Sequence, residues 1–384
     1  MAQDIMSAAC TLQVQDELEM RFKTTDSLEF NITRVRWMNT AEAMEQRKLG
    51  EINASAIGPN AAKFVEKFKD FHNRLRQSKH SSKVAVIDSG VIGVPEPSTT
   101  ANGQHAVVHG SDFAGRIVEA RSFVYDRDGI ELPWYLASDP HGTQMTRLIC
   151  AINPCCEVCV ARVGETSRSA MSSSRIASAI RWAINCQVDI ISLSLVAYED
   201  KDKEIEKAIE AAYAKDIAVF CSTADEGNNI GPSFPADYYE KGVFAITACD
   251  EQGKPLNISK EKGYQYQLLG KDVLVGAVPF LKSQELIMGS SVATAIAAGL
   301  GSLIISCRRL ARKPTPGGHE KHLSRREEIT KRFKLMRHDP NSVEMPYYIR
   351  PEKLVGKTMQ SNFQFDHGFL EKAFGDVDDA NRWV

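Results

Sequence analysis

The chain has 384 residues, of which 43% are hydrophobic and 25% are charged, and its formal net charge at pH 7 is −2. These values are ordinary for a globular protein with a sizeable core. The near-neutral charge argues against nucleic-acid binding as the role of the whole molecule, so we expect no specific nucleic-acid partner.

The N-terminal region, residues 1–80, is mixed and polar, and we predict an extension of unknown role. Its start lacks the basic segment and apolar run of a secretory signal, and the longest apolar candidate in the chain, 293–306, is too short to span a membrane. We therefore expect a cytoplasmic protein without membrane contact. Within this region, 60–75 has the period of a surface helix packed on a neighbour. Its apolar face carries Phe64, Phe68, Phe71 and Leu75.

From residue 83 onward, short apolar runs rich in Val and Ile alternate with helical segments. The predicted strands are Lys83–Ile87, Glu157–Val163, Val188–Leu193, Ile217–Cys221 and Gly242–Thr247, and the predicted helices are Gly142–Ala151, Ser173–Cys186 (with Ser173 as N-cap) and Lys203–Lys215. Near-continuous apolar strands between amphipathic helices predict a parallel sheet covered on both faces. The fold class is therefore α/β: a three-layer α/β/α domain over 81–310 with a mostly parallel, doubly wound central sheet. Ligands bind such sheets beyond the carboxyl ends of the strands.

The C-terminal region, 311–384, is predicted to be a basic, helical extension. Residues 308–338 carry eleven Lys or Arg against three Glu, and the spacing of Ser324 and Glu327 predicts a capping box at the start of a helix. We interpret the basic run as a solvated helix face, with contact to nucleic acid or acidic lipid as the alternative.

The nine cysteines are odd in number, and most lie in predicted strands or helices. This distribution favours reduced, buried thiols over a disulfide framework. The cluster of Cys155, Cys156 and Cys159 permits a metal as the less favoured alternative, because no second pair of ligands follows at zinc-site spacing. We expect no metal and no cofactor.

Three polar residues stand where a parallel sheet carries its chemistry. Asp88 directly follows an apolar strand, His141 opens a helix, and Ser291 follows a glycine turn at the start of a small-residue helix. A serine at a helix N-terminus has a free backbone N–H that can stabilise an oxyanion while its hydroxyl attacks a carbonyl. A histidine oriented by a buried carboxylate supplies the base that such acyl transfer needs.

The segments VIDSG, HGT and GSSVATA, which contain these residues, resemble the signature blocks of the subtilisin-like serine peptidases (peptidase family S8). The resemblance covers about 83–307, and the long segment 91–140 is similar to that of intracellular fungal members. It implies that Asp88 orients His141, that His141 is the general base and acid, and that Ser291 is the nucleophile. It also implies an oxyanion hole at Asp225 and Ser291, and substrate contacts at Ser194, Leu195, Val196, Thr223 and Ala224.

The sequence departs from that family pattern at the oxyanion position. Asp225 stands where the family usually has asparagine, and an ionised carboxylate cannot donate to a developing oxyanion. Two alternatives would restore a donor: a protonated Asp225, or Asn228 or Asn229 from the same loop. Val196 and Ala224 stand where the family usually has glycine, and we expect their side chains to narrow the primary specificity pocket or to crowd the substrate backbone. The loop 152–154 is short, so we expect the family's calcium-binding loop, and its calcium, to be missing there.

The resemblance predicts a serine endopeptidase that cleaves protein or peptide substrates through an acyl-enzyme on Ser291, with activity reduced by Asp225. The alternative is a catalytically weak or inactive protein-binding module within a larger assembly. An α/β-hydrolase esterase does not fit, because Ser291 is not in a Gly-x-Ser-x-Gly motif and the order of the three residues differs.

Overall fold

The fold is built on an eight-stranded parallel sheet between two layers of helices. The computed structural model describes residues 51–75, 80–92, 96–99, 105–108, 113–166, 171–225, 231–256, 264–278, 281–311, 323–339, 341, 344–354 and 365–374. All of them belong to one compact unit, 38–384. Residues 1–50, together with Asn228 and Asn229, lie outside the described residues.

The central sheet has the strand order β12-β9-β8-β7-β6-β1-β5-β4, and every pairing in it is parallel. Two short antiparallel pairs, β2–β3 and β10–β11, lie outside it. The strands are β1 Lys83–Asp88, β2 Glu96–Thr99, β3 His105–Val108, β4 Ile117–Ser122, β5 Glu157–Arg162, β6 Ile190–Leu193, β7 Ala218–Ser222, β8 Phe244–Cys249, β9 Tyr266–Leu269, β10 Val273–Leu274, β11 Leu286–Ile287 and β12 Tyr347–Tyr348.

The five predicted strands are all present and lie next to one another in this sheet. They are buried on both faces, as expected when helices cover a parallel sheet. The sequence did not predict β9, which lies between β8 and β12, or the two outermost strands, β4 and β12. The apolar signal is weak at the sheet edges, where β4 is partly exposed and β12 has only two residues.

Helices cover the two faces unequally. They are α1 Pro59–Leu75, α2 His141–Ile152, α3 Ser173–Asn185, α4 Glu204–Ala214, α5 Ser290–Ala311, α6 Arg325–Leu335 and α7 His367–Phe374. Helices α3 and α4 pack on one face of the sheet and the others on the opposite face. Helix α5 is apolar enough to span a membrane by composition, but 94% of that stretch is buried in the protein, so it is the core helix of this layer.

Two predicted helix starts have different outcomes. The capping box of α6 is confirmed, because Ser324 Oγ accepts from the Glu327 N–H and the Glu327 carboxylate accepts from the Ser324 N–H. The predicted N-cap of α3 is wrong by one residue. Ser172 has the extended cap conformation and Ser173 is already helical, and the Ser172 side chain makes no capping hydrogen bond. In a run of three serines, side-chain chemistry alone does not distinguish the first helical residue.

The regions on either side of 81–310 share its core. Phe64 of α1 packs against Phe365, Phe369 and Phe374 at the C-terminal end of the chain, and Phe333 of α6 packs against the sheet. The boundaries at 80 and 310 stay predictions, but the helices beyond them are not separate from the central sheet.

Two arginines of the basic run are buried, which corrects its interpretation as a solvated face. Arg308 donates to the carbonyl of Phe374 at 2.7 Å, and Arg332 donates to that of Ala373 at 2.6 Å. These are the last carbonyls of α7, and the last carbonyls of a helix receive no hydrogen bond from within it. The cations therefore cap α7 from two other helices and complement its negative end.

A buried polar network anchors α5 to the rest of the fold. The Asn153 amide nitrogen lies 2.8–3.1 Å from the hydroxyls of Ser82, Ser302 and Ser306. All four residues are fully buried. The network joins the residue before β1, the C-cap of α2 and the middle of α5, and so it fixes the three elements that carry Asp88, His141 and Ser291.

Candidate active site

The candidate site lies at the carboxyl end of β1. Strand β5 pairs on one side of β1 and β6 on the other, so the chain leaves β1 and β6 in opposite directions. This is the topological switch point at which open α/β sheets form a crevice. Asp88 is the last residue of β1, and Ser194 directly follows β6.

Asp88 and His141 form a hydrogen-bonded pair. His141 Nδ1 lies 2.9 Å from Asp88 Oδ1 and 3.0 Å from Oδ2, and Asp88 Oδ1 also accepts from the Ser89 N–H at 2.7 Å. Burial acts to lower the pKa of the His141 ring, but the Asp88 carboxylate outweighs it and holds that pKa above its ordinary value. The ring is 19% exposed and the carboxylate 3%, so the open side of the pair is the imidazole.

Gly142 permits the close approach of α2 to β1. A Cβ at this position would collide with the carbonyl oxygen of Gly90 and lie 3.1 Å from Asp88 Oδ1. Gly90 itself has a φ of +91°, a region that favours glycine. The glycines of the HGT and DSG segments are therefore needed to bring the imidazole to the carboxylate.

Ser291 is the second residue of α5 and faces the end of β6. Its hydroxyl donates to the carbonyl of Ser194 at 3.2 Å, and the hydroxyl of Ser194 donates to the carbonyl of Ser291 at 3.1 Å. In the structure the Ser291 hydroxyl is therefore hydrogen-bonded to Ser194 rather than to His141.

Asp225 lies between the histidine and the start of α5. Its Oδ2 accepts from the Ser290 N–H at 2.7 Å, and its charge raises the pKa of His141. Gly289, with a φ of +131°, is required here, since a Cβ would come within 2.7 Å of Asp225 Oδ2. The site residues Asp88, His141, Asp225 and Ser291 thus converge on one end of the sheet.

The Asp225 carboxyl is positioned to titrate near neutrality. Burial raises its pKa to about 6, against the opposing effects of the Ser290 N–H and His141. Its second oxygen, Oδ1, is buried and has no hydrogen-bond partner among the described residues. A buried oxygen without a donor disfavours the ionised form, and once protonated it can itself donate.

The predicted substrate-contact residues line the same edge, but their side chains differ in access. Leu195, Thr223 and Ala224 are buried, so these positions offer backbone groups, whereas Val196 is half-buried. The Thr223 carbonyl already accepts from Ser290 Oγ at 2.5 Å.

Arg162 is a positioning residue that the sequence analysis missed. It ends β5, opposite Asp88 in the sheet register. Its buried guanidinium donates to the carbonyls of Pro133 at 2.7 Å and Leu136 at 3.2 Å. The Trp134 carbonyl between them accepts from the Val91 N–H at 3.0 Å. The sequence does contain a signal for Arg162, because it is a charged residue within the apolar run that forms β5.

The cysteine cluster does not converge on a metal site. Cys156 faces Cys150, with 4.0 Å between the sulfurs, whereas Cys159 is part of the core on the other face of the sheet. The eight cysteines in the described ranges are free thiols, and those ranges hold no group of three or more His, Cys, Asp or Glu placed for a metal ion.

Comparison with known proteins identifies the family. Residues 79–315 match the model of the "Subtilase family" of peptidase S8. The chain is 31% identical over 178 residues to the subtilisin-like protease het-Q2 of Podospora anserina, which covers 43% of this chain and 48% of that protein. It is 25% identical over 268 residues to a thermostable alkaline protease of Halalkalibacterium halodurans, which covers 67% of this chain and 66% of that protein.

Two solved structures also align with the chain, each at a TM-score of 0.45. The prenylagaramide maturation protease PagA is 23% identical and covers 67% of this chain and 94% of its own. The protease domain of PatA is 20% identical and covers 66% and 94%.

Proposed function

The chain belongs to the subtilase family, and on this premise we propose that it is a serine endopeptidase with Ser291 as nucleophile, His141 as general base and acid, and Asp88 as orienting carboxylate. The observation that supports this assignment most strongly is the pair of short contacts from Asp88 to His141 Nδ1. They hold the proton on Nδ1 and leave Nε2 as the basic nitrogen.

The nucleophile becomes active by exchanging one hydrogen bond for another. The Ser194 carbonyl that now accepts from Ser291 Oγ lies just after β6, beside the crevice, and an extended substrate along Ser194–Val196 would offer this carbonyl a backbone N–H. The Ser291 hydroxyl would then rotate toward His141. Such loose geometry is common in unliganded hydrolases. His141 would take the proton of Ser291 as Oγ attacks the substrate carbonyl, and it would pass that proton to the leaving amine as the peptide bond breaks, which gives the acyl-enzyme. Water, with His141 again as the base, would then attack the ester, release the carboxyl product and restore the Ser291 hydroxyl.

The oxyanion would be held by the backbone N–H of Ser291 and by Asp225 in its neutral form. The first is an unsatisfied donor of the first turn of α5. The second rests on the raised pKa of Asp225 and on its buried Oδ1, which has no hydrogen-bond partner within the described ranges. Since only the protonated carboxyl can donate, the contribution of Asp225 to the rate is lost as pH rises through its pKa.

Protein or peptide segments are the proposed substrates, in keeping with the family. An intracellular location is a further proposal, and the free thiols of the described cysteines fit it. The second candidate is a protein-binding module with weak or no activity. It is favoured by Asp225, because a carboxylate ionised at neutral pH opposes the charge that it should stabilise.

Hydrolysis of an unfolded protein separates the two candidates. Purified chain is incubated with reduced, alkylated casein at pH 6 and pH 8, and new peptide termini are identified by mass spectrometry. We expect cleavage by the wild type and by Ser172→Ala, a matched control at an exposed serine before α3, and none by Ser291→Ala. Equal cleavage by Ser291→Ala, or none by any variant, would rule out the endopeptidase assignment.

A further inference from the structure

A basic groove lies between helix α3 and strand β4, on the face of the sheet opposite α5. It has a volume of about 460 Å³ and is lined by one face of α3 and by alternate residues of the strand region. Phe123 and Trp182 form its apolar wall, with their rings edge to face at a centroid distance of 6.3 Å. The catalytic residues proposed above are not part of this lining.

Three arginines give the groove its charge. Arg121 comes from β4, and Arg175 and Arg181 come from α3; all three are exposed. The Arg121 guanidinium lies 5.2 Å from the centre of the Phe123 ring, a contact that orients the cation without neutralising it. In the part of the chain that the structure describes, none of the three forms an ion pair with a carboxylate. Glu119 is nearby, but it lies close to Cys186, beyond the end of α3.

Other groups in the groove add polar donors. Ser174 and Ser178 lie one helical turn apart on the same face of α3, and Asn185 ends that face. Ser174 belongs to the first turn, where backbone N–H groups have no acceptor within the helix and the helix dipole favours an anion. Among the described residues, none that lines the groove carries a negative charge.

The dimensions favour an extended peptide. From Ser174 to Asn185 the helix rises about 16 Å, at 1.5 Å per residue, which corresponds to about five residues of extended chain at 3.3 Å each. Nucleic acid fits less well, because the protein as a whole carries a net charge of −2 and would repel a polyanion at long range.

We propose that this groove is a docking site for a segment rich in Asp and Glu of a partner protein. Carboxylates of the segment pair with Arg121, Arg175 and Arg181, and the methylene groups of its Asp and Glu side chains pack on the Phe123–Trp182 wall. Planar guanidinium groups suit carboxylates because they can donate two parallel hydrogen bonds to one acceptor.

Direct binding tests the proposal without any dependence on catalysis. A fluorescein-labelled peptide of alternating Glu and Gly is titrated with the Ser291→Ala chain, which cannot cleave it by the proposed mechanism, and anisotropy is followed at low and high salt. Binding should weaken as salt is raised, and the same peptide with Gln in place of Glu should not bind. Arg121→Gln/Arg175→Gln/Arg181→Gln should raise Kd by about tenfold or more, from roughly 0.5 kcal/mol per exposed charge contact.

A matched triple variant controls for overall charge. Lys63→Gln/Lys331→Gln/Lys334→Gln removes three exposed cations from α1 and α6, and it should change Kd less than twofold. Equal weakening in both triple variants, or no peptide binding at low salt, would overturn the proposal. Tighter binding of a labelled dT8 oligonucleotide that depends on the same arginines would also overturn it, in favour of a nucleic-acid site. If the arginine triple variant unfolds, Arg175→Gln/Arg181→Gln on the exposed helix face replaces it, with at least a fourfold expected rise in Kd at about 0.5 kcal/mol per charge.

Discussion

Replacing Asp225 by asparagine tests how this site stabilises an oxyanion. In the wild type the donor exists only while the Asp225 carboxyl is protonated, and its pKa is about 6. An asparagine amide is a donor at every pH. Asp225→Asn should therefore increase kcat/KM by a factor that grows with pH.

The size of this effect follows from the neutral fraction of Asp225. With a pKa of about 6, that fraction is about one half at pH 6, one in eleven at pH 7 and one in a hundred at pH 8. The variant should thus be faster by about twofold, tenfold and up to a hundredfold at these pH values. The upper value is limited by the residual rate without the donor, which is roughly 10²- to 10³-fold below the full rate.

The assay is kcat/KM for a fluorogenic peptide from pH 5 to pH 9. Wild-type kcat/KM should rise on the acid side, level off between the pKa of Asp225 and the raised pKa of His141, and fall above the latter, whereas Asp225→Asn should rise to a plateau. Asp139→Asn is the control, because Asp139 also raises the pKa of His141 and bonds its backbone N–H. In this control the acid limb of the pH profile should shift, and the loss of activity at high pH should remain. A constant ratio of variant to wild type across this range would refute the reasoning.

Three further predictions concern stability. Asp225→Asn should stabilise the fold increasingly as pH rises, because the Asp225 carboxyl has a pKa of about 6 in the folded chain against an ordinary 3.8. Between pH 3 and pH 8 the free energy of unfolding of the wild type should fall by about 3 kcal/mol relative to that of the variant. Urea unfolding at several pH values measures this difference. Asn153→Ala should lower the free energy of unfolding by about 3 kcal/mol, because three buried hydroxyls lose the amide donor that they share and the Cys155 N–H loses its acceptor. A loss below about 1 kcal/mol would show that the hydrogen bonds among the hydroxyls are sufficient. Arg162→Met should lower the free energy of unfolding by about 2 kcal/mol, because two carbonyls lose their charged donor. It should also make the segment around Trp134 accessible to limited proteolysis. An unchanged proteolysis pattern would count against the positioning role.

Much of the sheet could be predicted because its interior strands obey a simple rule. A strand buried on both faces is mostly apolar, as β1, β5, β6, β7 and β8 are. The outermost strands, β4 and β12, do not follow that rule. Strand β12 has only two residues, and it is a strand because the Gln265 and Gln267 carbonyls accept the N–H groups of Tyr347 and Ile349. Such pairing depends on tertiary position rather than on local sequence.

The site could be predicted in outline for a related reason. Asp88, His141 and Ser291 stand at element boundaries, and parallel strands bring such boundaries to one edge. Three features of the site could not be predicted from the sequence. They are the reciprocal Ser194–Ser291 hydrogen bonds, the buried Asp225 Oδ1 that has no partner in the described part of the chain, and the contacts of Arg162. Each involves residues far apart in the chain whose contact exists only once the core is packed, as does the capping of α7 by arginines.

The most direct test of the central claim is covalent labelling by a fluorophosphonate, followed by mass-spectrometric mapping of the modified residue. The chain should carry one phosphonyl adduct, on Ser291, and the labelling rate should fall by orders of magnitude in His141→Ala. An adduct on another serine, or an unmodified Ser291 in folded wild-type protein across pH 5 to pH 9, would contradict the assignment of an activated nucleophile at the end of this sheet.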